Sequence, residues 1–387
     1  MSTQLKCIPS KNPLLDQWWL DGLKDKTVVV AMSGGVDSSA AALMLAEAGC
    51  NVVGISMQVW DYRNHNGNSK KATCCAPADF DDARLVSEHL GFPFYVFDFE
   101  ESFEDAVISP FVNSYLNGLT PNPCLDCNRK VKFRELRKRA RTLGTPIVAT
   151  GHYAEIRKLP DGKLGLFTGA DKSKDQSYFL YALTQEDLQE TIFPVGHMQK
   201  SDVREYLDEH DLEVAQKAES QDICFVSGAV GDFIKKRNPK ATTSGKIVSS
   251  DGTKLGEHEG VFNYTVGQRK GLGLSNPTPL YVLNIDSENQ TVTVGDKSEL
   301  EKDGLIVGDV NWISGEVPKE KIIANVKLRY RHAGVLCEIE ALDEGRAKLK
   351  FVDEWTAVSP GQAAVFYSTE LEADGACQVF GGGIIQK

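Results

Sequence analysis

Of the nine cysteines in the 387 residues, three stand where chemistry is easiest to imagine. Cys124 and Cys127 form a C-x-x-C pair in "TPNPCLDCNRKVKF", directly before a dense run of lysine and arginine. Such a pair can be half of a zinc site, a redox couple, or a nucleophile with a bystander. Cys224 lies far along the chain in "SQDICFVSG". A thiol attacks as the thiolate, and an unperturbed thiol, with a pKa of about 8.5, is only slightly ionised at neutral pH. Cys127 precedes Asn128, Arg129 and Lys130, where a helix is expected to begin. A helix N-terminus and nearby cations both lower a thiol pKa, so Cys127 is expected to be activated. A structural zinc site needs four ligands, and the candidate set is Cys74, Cys75, Cys124 and Cys127. Adjacent cysteines reach one metal only with strain, so no metal is expected. Cys74 and Cys75, like Cys50, Cys337 and Cys377, are expected to be unreactive packing residues.

A second stretch, "AMSGGVDSS" at 31–39, suits phosphate. Gly34 and Gly35 let the backbone approach a ligand closely. Ser33, Ser38 and Ser39 offer hydroxyls, and a following helix offers unpaired N–H groups to an anion. Asp37 is the odd member, because a carboxylate repels phosphate unless it holds magnesium or accepts a hydrogen bond within the loop. The G-x-x-x-x-G-K-[ST] pattern is absent, and so is its lysine. S-G-G-x-D-S-S instead resembles the PP-loop of ATP pyrophosphatases. That resemblance implies cleavage of ATP between its α and β phosphates and adenylation of a substrate.

These motifs need elements to hold them. "KTVVVAM" (26–32), "NVVGISM" (51–57), "FYVFDF" (94–99) and "PIVATG" (146–151) read as buried strands, and 38–49, 79–91, 101–117 and 129–143 read as helices. Alternation of this kind predicts an α/β fold with a parallel sheet, whose ligands bind beyond the carboxyl ends of the strands. After about residue 227 the pattern becomes short strands with Asp-Gly turns. The expected organisation is an N-terminal extension at 1–26, a Rossmann-like PP-loop catalytic domain at 27–227, a small central linking domain at 228–292 and a β-barrel-like domain at 293–387.

The net charge of −11 does not exclude a nucleic-acid partner, because screening over about 8 Å makes local patches decide. Between Asn128 and Gly144 stand eight Lys/Arg and one acid, Glu135. No apolar run approaches the roughly 18 residues of a membrane span. The odd cysteine count and the absence of a secretory or Arg-rich leader point to a reducing cytoplasm.

"SGGVDSS", "TPNPCLDCNRKVKF", "ATGHYAEI", "KDQSYFLY", "SQDICFV", "YTVGQRKGLG" and "VKLRYRH" follow one another in an order that resembles tRNA-specific 2-thiouridylases of the MnmA type, from about residue 27 onward. That resemblance implies a tRNA sulfurtransferase that thiolates C2 of the wobble uridine in tRNAs for Lys, Glu and Gln, with ATP and magnesium as substrate. It implies ATP contacts at Ala31, Met32, Ser33, Gly34, Gly35, Val36, Asp37, Ser38, Met57 and Gly151. Asn122, Pro123 and Cys124 match the tripeptide that touches the target base. Cys127 matches the nucleophile and Cys224 the cysteine that carries a persulfide, and the two match a transient disulfide. His152, Lys174, Asp175, Gln176, Arg329, Tyr330 and Gln362 match tRNA contacts. The persulfide sulfur is implied to come from a donor protein, a cysteine desulfurase or a sulfur-relay protein, and the chain is expected to act as a monomer. Some relatives carry Asp at the slot of Cys124, so a thiol there is not expected to be essential. Lys/Arg at 129–141, with Lys235, Lys236 and Arg237, are expected to track the tRNA backbone. Two rival readings stay open: another PP-loop adenylating enzyme, such as an amide-forming synthetase, and a non-catalytic tRNA-binding protein.

Overall fold

The computed structural model describes residues 20, 22–60, 77–218, 223–226, 228–241 and 243–387. Cys7, Cys74 and Cys75 lie outside them. The β-branched run at the start of the chain forms β1 (Thr27–Ala31), the centre of a parallel sheet. Beside it lies β2 (Asn51–Gln58), with β3 (Phe94–Asp98) beyond β2, and on its other side lies β4 (Val148–Thr150). β5 (Ala154–Lys158) and β6 (Leu164–Thr168) form a hairpin, and β7 (Thr191–Ile192) closes the sheet in the order β3-β2-β1-β4-β7. Helix α1 (Val36–Glu47) is apolar or small around nearly its whole circumference, and Val36 and Ser38 to Leu45 are all buried. A helix of that composition must be covered on both sides. Here the sheet covers one side, and α2 (Pro77–Leu90) and the helix Lys200–Asp208 cover the other. Gly49 and Gly91, with φ of +82° and +76°, end the two numbered helices in the left-handed conformation that glycine tolerates.

The central part pairs β8 (Gly245–Ser249) with β9 (Lys254–His258), and β10 (Tyr281–Asp286) with β11 (Thr291–Gly295). Parallel pairing of β8 with β11 joins the two hairpins. The C-terminal part consists of β12 (Glu301–Trp312), β13 (Ile322–Lys327), β14 (Val335–Leu342), β15 (Arg346–Thr356), β16 (Ala363–Tyr367) and β17 (Gln378–Ile385). They run β12-β15-β14-β13-β16-β17, and β17 pairs back onto β12, with Val307 opposite Ile385. The barrel is therefore closed, and closure removes sheet edges. Alternate residues fill its interior, among them Val307, Val326, Cys337, Leu349 and Phe366.

The predicted α/β class, parallel sheet and C-terminal barrel are present. Sequence reading overlooked the β5–β6 hairpin. It leaves the first sheet and joins the barrel, with Phe167 opposite Gln378 and Leu166 opposite Val379. Its signal was in the sequence: Asp161-Gly162 stands between two alternating runs, and Gly162 has a φ of +86°.

Candidate active site

The phosphate loop lies where β1 turns into α1. Gly34 has a φ of +65°, and a Cβ there would lie 2.0 Å from the carbonyl oxygen of Asp79. Both the backbone angle and the contact with the first turn of α2 require glycine. The loop is tied internally: Ser33 N–H donates to Ser38 Oγ at 3.2 Å, and the Ser38 and Ser39 hydroxyls donate to the Gly35 carbonyl at 3.1 and 2.9 Å. Met32 is held by its own N–H on Ile55 and by the Ser56 hydroxyl on its carbonyl. Gly151 follows β4 and presses on the same loop, where a Cβ would lie 2.6 Å from the Asp37 carbonyl carbon and 2.7 Å from Ser38 N. Ala31–Ser38 and Gly151 are thus one surface. Met57, half-buried at the end of β2, bridges the sheet core to a neighbouring apolar cluster.

That cluster carries the thiols. Cys127 and Cys224 both pack against it, together with Met57, Phe97 and Trp60. The Cys224 segment is anchored by Phe225, whose ring meets Phe103, Phe111 and Phe233 at centroid distances of 5.7, 5.2 and 5.4 Å. Cys127 and Cys224 are half-buried, and Cys124 is exposed. The helix begins earlier than expected. Asn122 caps it by accepting the Cys124 N–H at 3.1 Å, and Pro123 takes the first helical position. Both choices suit a helix start, because asparagine satisfies an orphan donor and proline has no donor to lose. Cys127 therefore sits more than one turn inside, so the expected proximity to a helix N-terminus is not found. From Cys127 to Glu135 the backbone bonds i→i+5, a wider helix that is rare and frequently marks functional positions.

Cys50, Cys337 and Cys377 behave as packing residues. Burial raises the pKa of Cys50 and Cys377 and pushes Cys337 up to about 12. Among the described residues, no group of three or more His, Cys, Asp and Glu could hold a metal.

The residues matched to tRNA contacts divide. Arg329 is exposed, and the Tyr330 ring meets Phe179 at a tilt of 41°, 4.5 Å between centroids. The Phe179 carbonyl in turn accepts from the amide of Asn128, next to Cys127. Lys174 and Gln176 are half-buried, and Gln176 accepts the Tyr153 N–H at 3.0 Å. Asp175 is buried and accepts from the backbone of Gly169 and Ser177. Gln362 donates to the carbonyl of Thr120 at 2.7 Å, two residues before Asn122. His152 is enclosed between Phe133 and Phe193, with Nδ1 2.7 Å from the Thr150 hydroxyl. Burial, and then the charge of Lys132, hold its imidazole well below the usual pKa.

The basic run is partly spent. Arg137 pairs with Asp187 and Glu190, and Arg141 with Glu186 and Glu190. Arg237 pairs with Glu104 and Lys235 with Glu259. Arg129 and Arg134 remain exposed. Sequence reading also missed Tyr153, Lys200 and Lys217, all of which reach the phosphate loop. Tyr153 and Lys200 donate to Asp37 Oδ1 at 2.7 and 2.5 Å. Lys217 donates to the Gly34 carbonyl at 2.8 Å and pairs with Asp79 and Asp82. Nothing in their local sequence announces this, since the contacts span 116 to 183 residues.

A five-stranded parallel sheet that delivers S-G-G-V-D-S-S to the head of its central helix defines a PP-loop nucleotide-binding protein of the ATP pyrophosphatase type. Family profiles described as a tRNA methyl transferase HUP domain, a tRNA methyl transferase PRC-barrel domain and an aminomethyltransferase beta-barrel domain match residues 26–228, 231–296 and 302–385. The tRNA-specific 2-thiouridylase MnmA of Geotalea uraniireducens is 49% identical over 366 residues, which is 94% of this chain and 96% of that one. The MnmA proteins of Geobacter metallireducens and Rickettsia felis are each 47% identical, over 93% and 95% of this chain and 96% and 98% of theirs. The chain belongs to the tRNA-specific 2-thiouridylase MnmA family.

Proposed function

We propose that this protein is an ATP-dependent tRNA sulfurtransferase that forms 2-thiouridine at the wobble position, in the tRNAs for Lys, Glu and Gln. Family membership supports the tRNA thiolation. One observation carries the chemistry: Cys127, Cys224 and Met57 pack on one apolar cluster at the carboxyl end of β2. Met57 also packs with Ala31 on the sheet core, so it links the cluster of the two distant cysteines to the start of the loop Ala31–Ser38.

ATP enters with magnesium, and the loop Ala31–Ser38 with Met57 and Gly151 binds it. Uracil O2 attacks the α-phosphorus, pyrophosphate leaves, and O2 becomes part of a good leaving group. Cys224 arrives as a persulfide, loaded by a desulfurase or sulfur-relay protein. Its terminal sulfur attacks C2, and AMP departs with the former O2. The Cys127 thiolate then attacks Cys224 Sγ, breaks the S–S bond and leaves the thiocarbonyl on the base. The by-product is a Cys127–Cys224 disulfide, which a cellular thiol must reduce. The alternative order, in which Cys127 first frees the sulfur as hydrosulfide, ends in the same disulfide. Flipping the base out of its stack costs a few kcal/mol, which phosphate contacts are expected to offset.

Asn122, Pro123 and Cys124 face this reaction as the turn that receives the base, with Arg329 and Tyr330 as outer tRNA contacts. Asp175 and Gln362 act by holding neighbouring backbone, and His152 by packing between Phe133 and Phe193 beside Thr150. A single turnover with preloaded persulfide, ATP and tRNA, read by mass spectrometry of the tRNA, tests the assignment. Cys127→Ser and Cys224→Ser should each abolish thiolation. Unimpaired thiolation in both would sink it.

A further inference from the structure

Asp37 is a carboxylate in the second position of α1, inside the loop that is to hold a polyphosphate. The loop itself contains no lysine. Lys200 brings one from elsewhere: its ammonium lies 2.5 Å from Asp37 Oδ1, and the side chains are 11% and 32% exposed. The same oxygen accepts the Tyr153 hydroxyl at 2.7 Å, and the Lys200 ammonium stands 5.7 Å from the centre of the Tyr153 ring. The Lys200 backbone N–H is fixed by Asp171 Oδ2 at 3.0 Å. Lys200 opens the helix Lys200–Asp208. A cation in the first turn has the wrong sign for the helix dipole, so its own helix gives it no reason to be there. Its partner across the fold does.

We propose that Lys200 is a positioning residue for the nucleotide. It neutralises Asp37 in a largely buried pair and so lets the loop accept a polyanion, standing in for the lysine that a Walker loop carries within its own sequence. This rests on the reading of Ala31–Ser38 as the ATP loop. Tyr153 orients the carboxylate, and Lys200 supplies the charge. Lys217, by contrast, grips the Gly34 carbonyl, Asp79 and Asp82, and it sets the shape of the loop rather than its charge.

The test is equilibrium binding of ATP and of AMP, each to the full chain and its variants. Lys200→Met leaves the half-buried Asp37 carboxylate to Tyr153 alone, with no cation beside it, and its ATP affinity should fall by about tenfold or more. AMP carries less charge and lacks the β and γ phosphates, so its affinity should fall by less than about threefold. Lys200→Arg keeps the charge and should bind ATP nearly as the parent does. The double variant Asp37→Asn with Lys200→Met strands no charge, and it should bind ATP more tightly than Lys200→Met alone. That recovery is the readout a purely structural lysine would not give. If Lys200→Met does not fold, the double variant is still expected to fold and bind ATP. ATP affinity unchanged in Lys200→Met, equal losses for ATP and AMP, or a double variant no better than the single one would each overturn the proposal. If the parent protein itself fails to bind ATP, with and without tRNA, the nucleotide reading falls instead.

Discussion

His152 lies between two phenylalanine rings, and an imidazole so enclosed stays neutral because the charged form would lose its hydration. Its folded pKa is depressed, so the unfolded chain takes up the proton first as pH falls through about 6.5. The stability it contributes is therefore present above that value and is lost below it, until the folded pKa is reached. Each tenfold loss of proton affinity on folding corresponds to about 1.4 kcal/mol. Melting temperatures from pH 7.5 to pH 5 should fall less steeply in His152→Gln than in the parent, and parallel slopes would refute this. Cys337 makes the complementary case for the thiols. With its pKa pushed up to about 12, it carries on the order of a thousandfold less thiolate at pH 8 than an ordinary cysteine. Alkylation of the native protein at pH 8, mapped by mass, should label exposed Cys124 while Cys337 waits for denaturant.

At the scale of elements, the turn "NPC" has a structural job beside the base contact proposed for it. Asn122 and Pro123 start the helix that carries Cys127, whatever else they touch. Asn122→Ala should cost about 1 kcal/mol of stability through the lost cap, measured by urea denaturation. The same variant separates the two jobs, because a thiolation loss well beyond that cost would point to direct contact with the base. The loop "SGGVDSS" was legible from sequence because local rules dictate it: a β-branched strand, a glycine at a turn with positive φ, hydroxyls at a helix start. The six barrel strands were legible as a kind of element for the same reason. What escaped was non-local. No pattern in "AEIRKLPDGKLGLFT" says that its hairpin pairs with β17 rather than with its own domain. The basic run looked like one phosphate-binding face because its acidic partners, Glu186, Asp187 and Glu190, lie 45 to 53 residues away. His152 could be placed after a strand end but not inside a core, because Phe133 and Phe193 come from two other segments.

Across the whole molecule, three parts of the chain meet at Thr120, two residues before Asn122. The Thr120 N–H donates to the Pro360 carbonyl at 2.9 Å, and its carbonyl accepts the Gln362 amide. Its hydroxyl donates to Thr265 Oγ1 at 3.2 Å, and the Ser359 hydroxyl donates to the Val266 carbonyl at 2.9 Å. The barrel and the central part thus hold the turn before Asn122 from outside, although neither touches the loop Ala31–Ser38 through any of these bonds. Gly361 makes the seam possible. Its φ is +90°, and a Cβ there would lie 2.9 Å from Thr120 N and 3.0 Å from the Leu119 Cβ. Gly361→Ala must therefore either adopt a strained backbone, at about 1–3 kcal/mol, or push the barrel loop off Thr120. Either way the turn at Asn122 loses its outer support while Ala31–Ser38, Gly151 and Lys200 keep theirs. ATP affinity should stay within about twofold of the parent, and thiolation per enzyme should fall about tenfold or more, since a displacement near 1 Å is enough to cost that in rate. Parallel measurements of ATP binding and single-turnover thiolation on one preparation decide the matter. If both fall together, the seam supports the whole catalytic domain; if only thiolation falls, the barrel works by holding the turn proposed to receive the base.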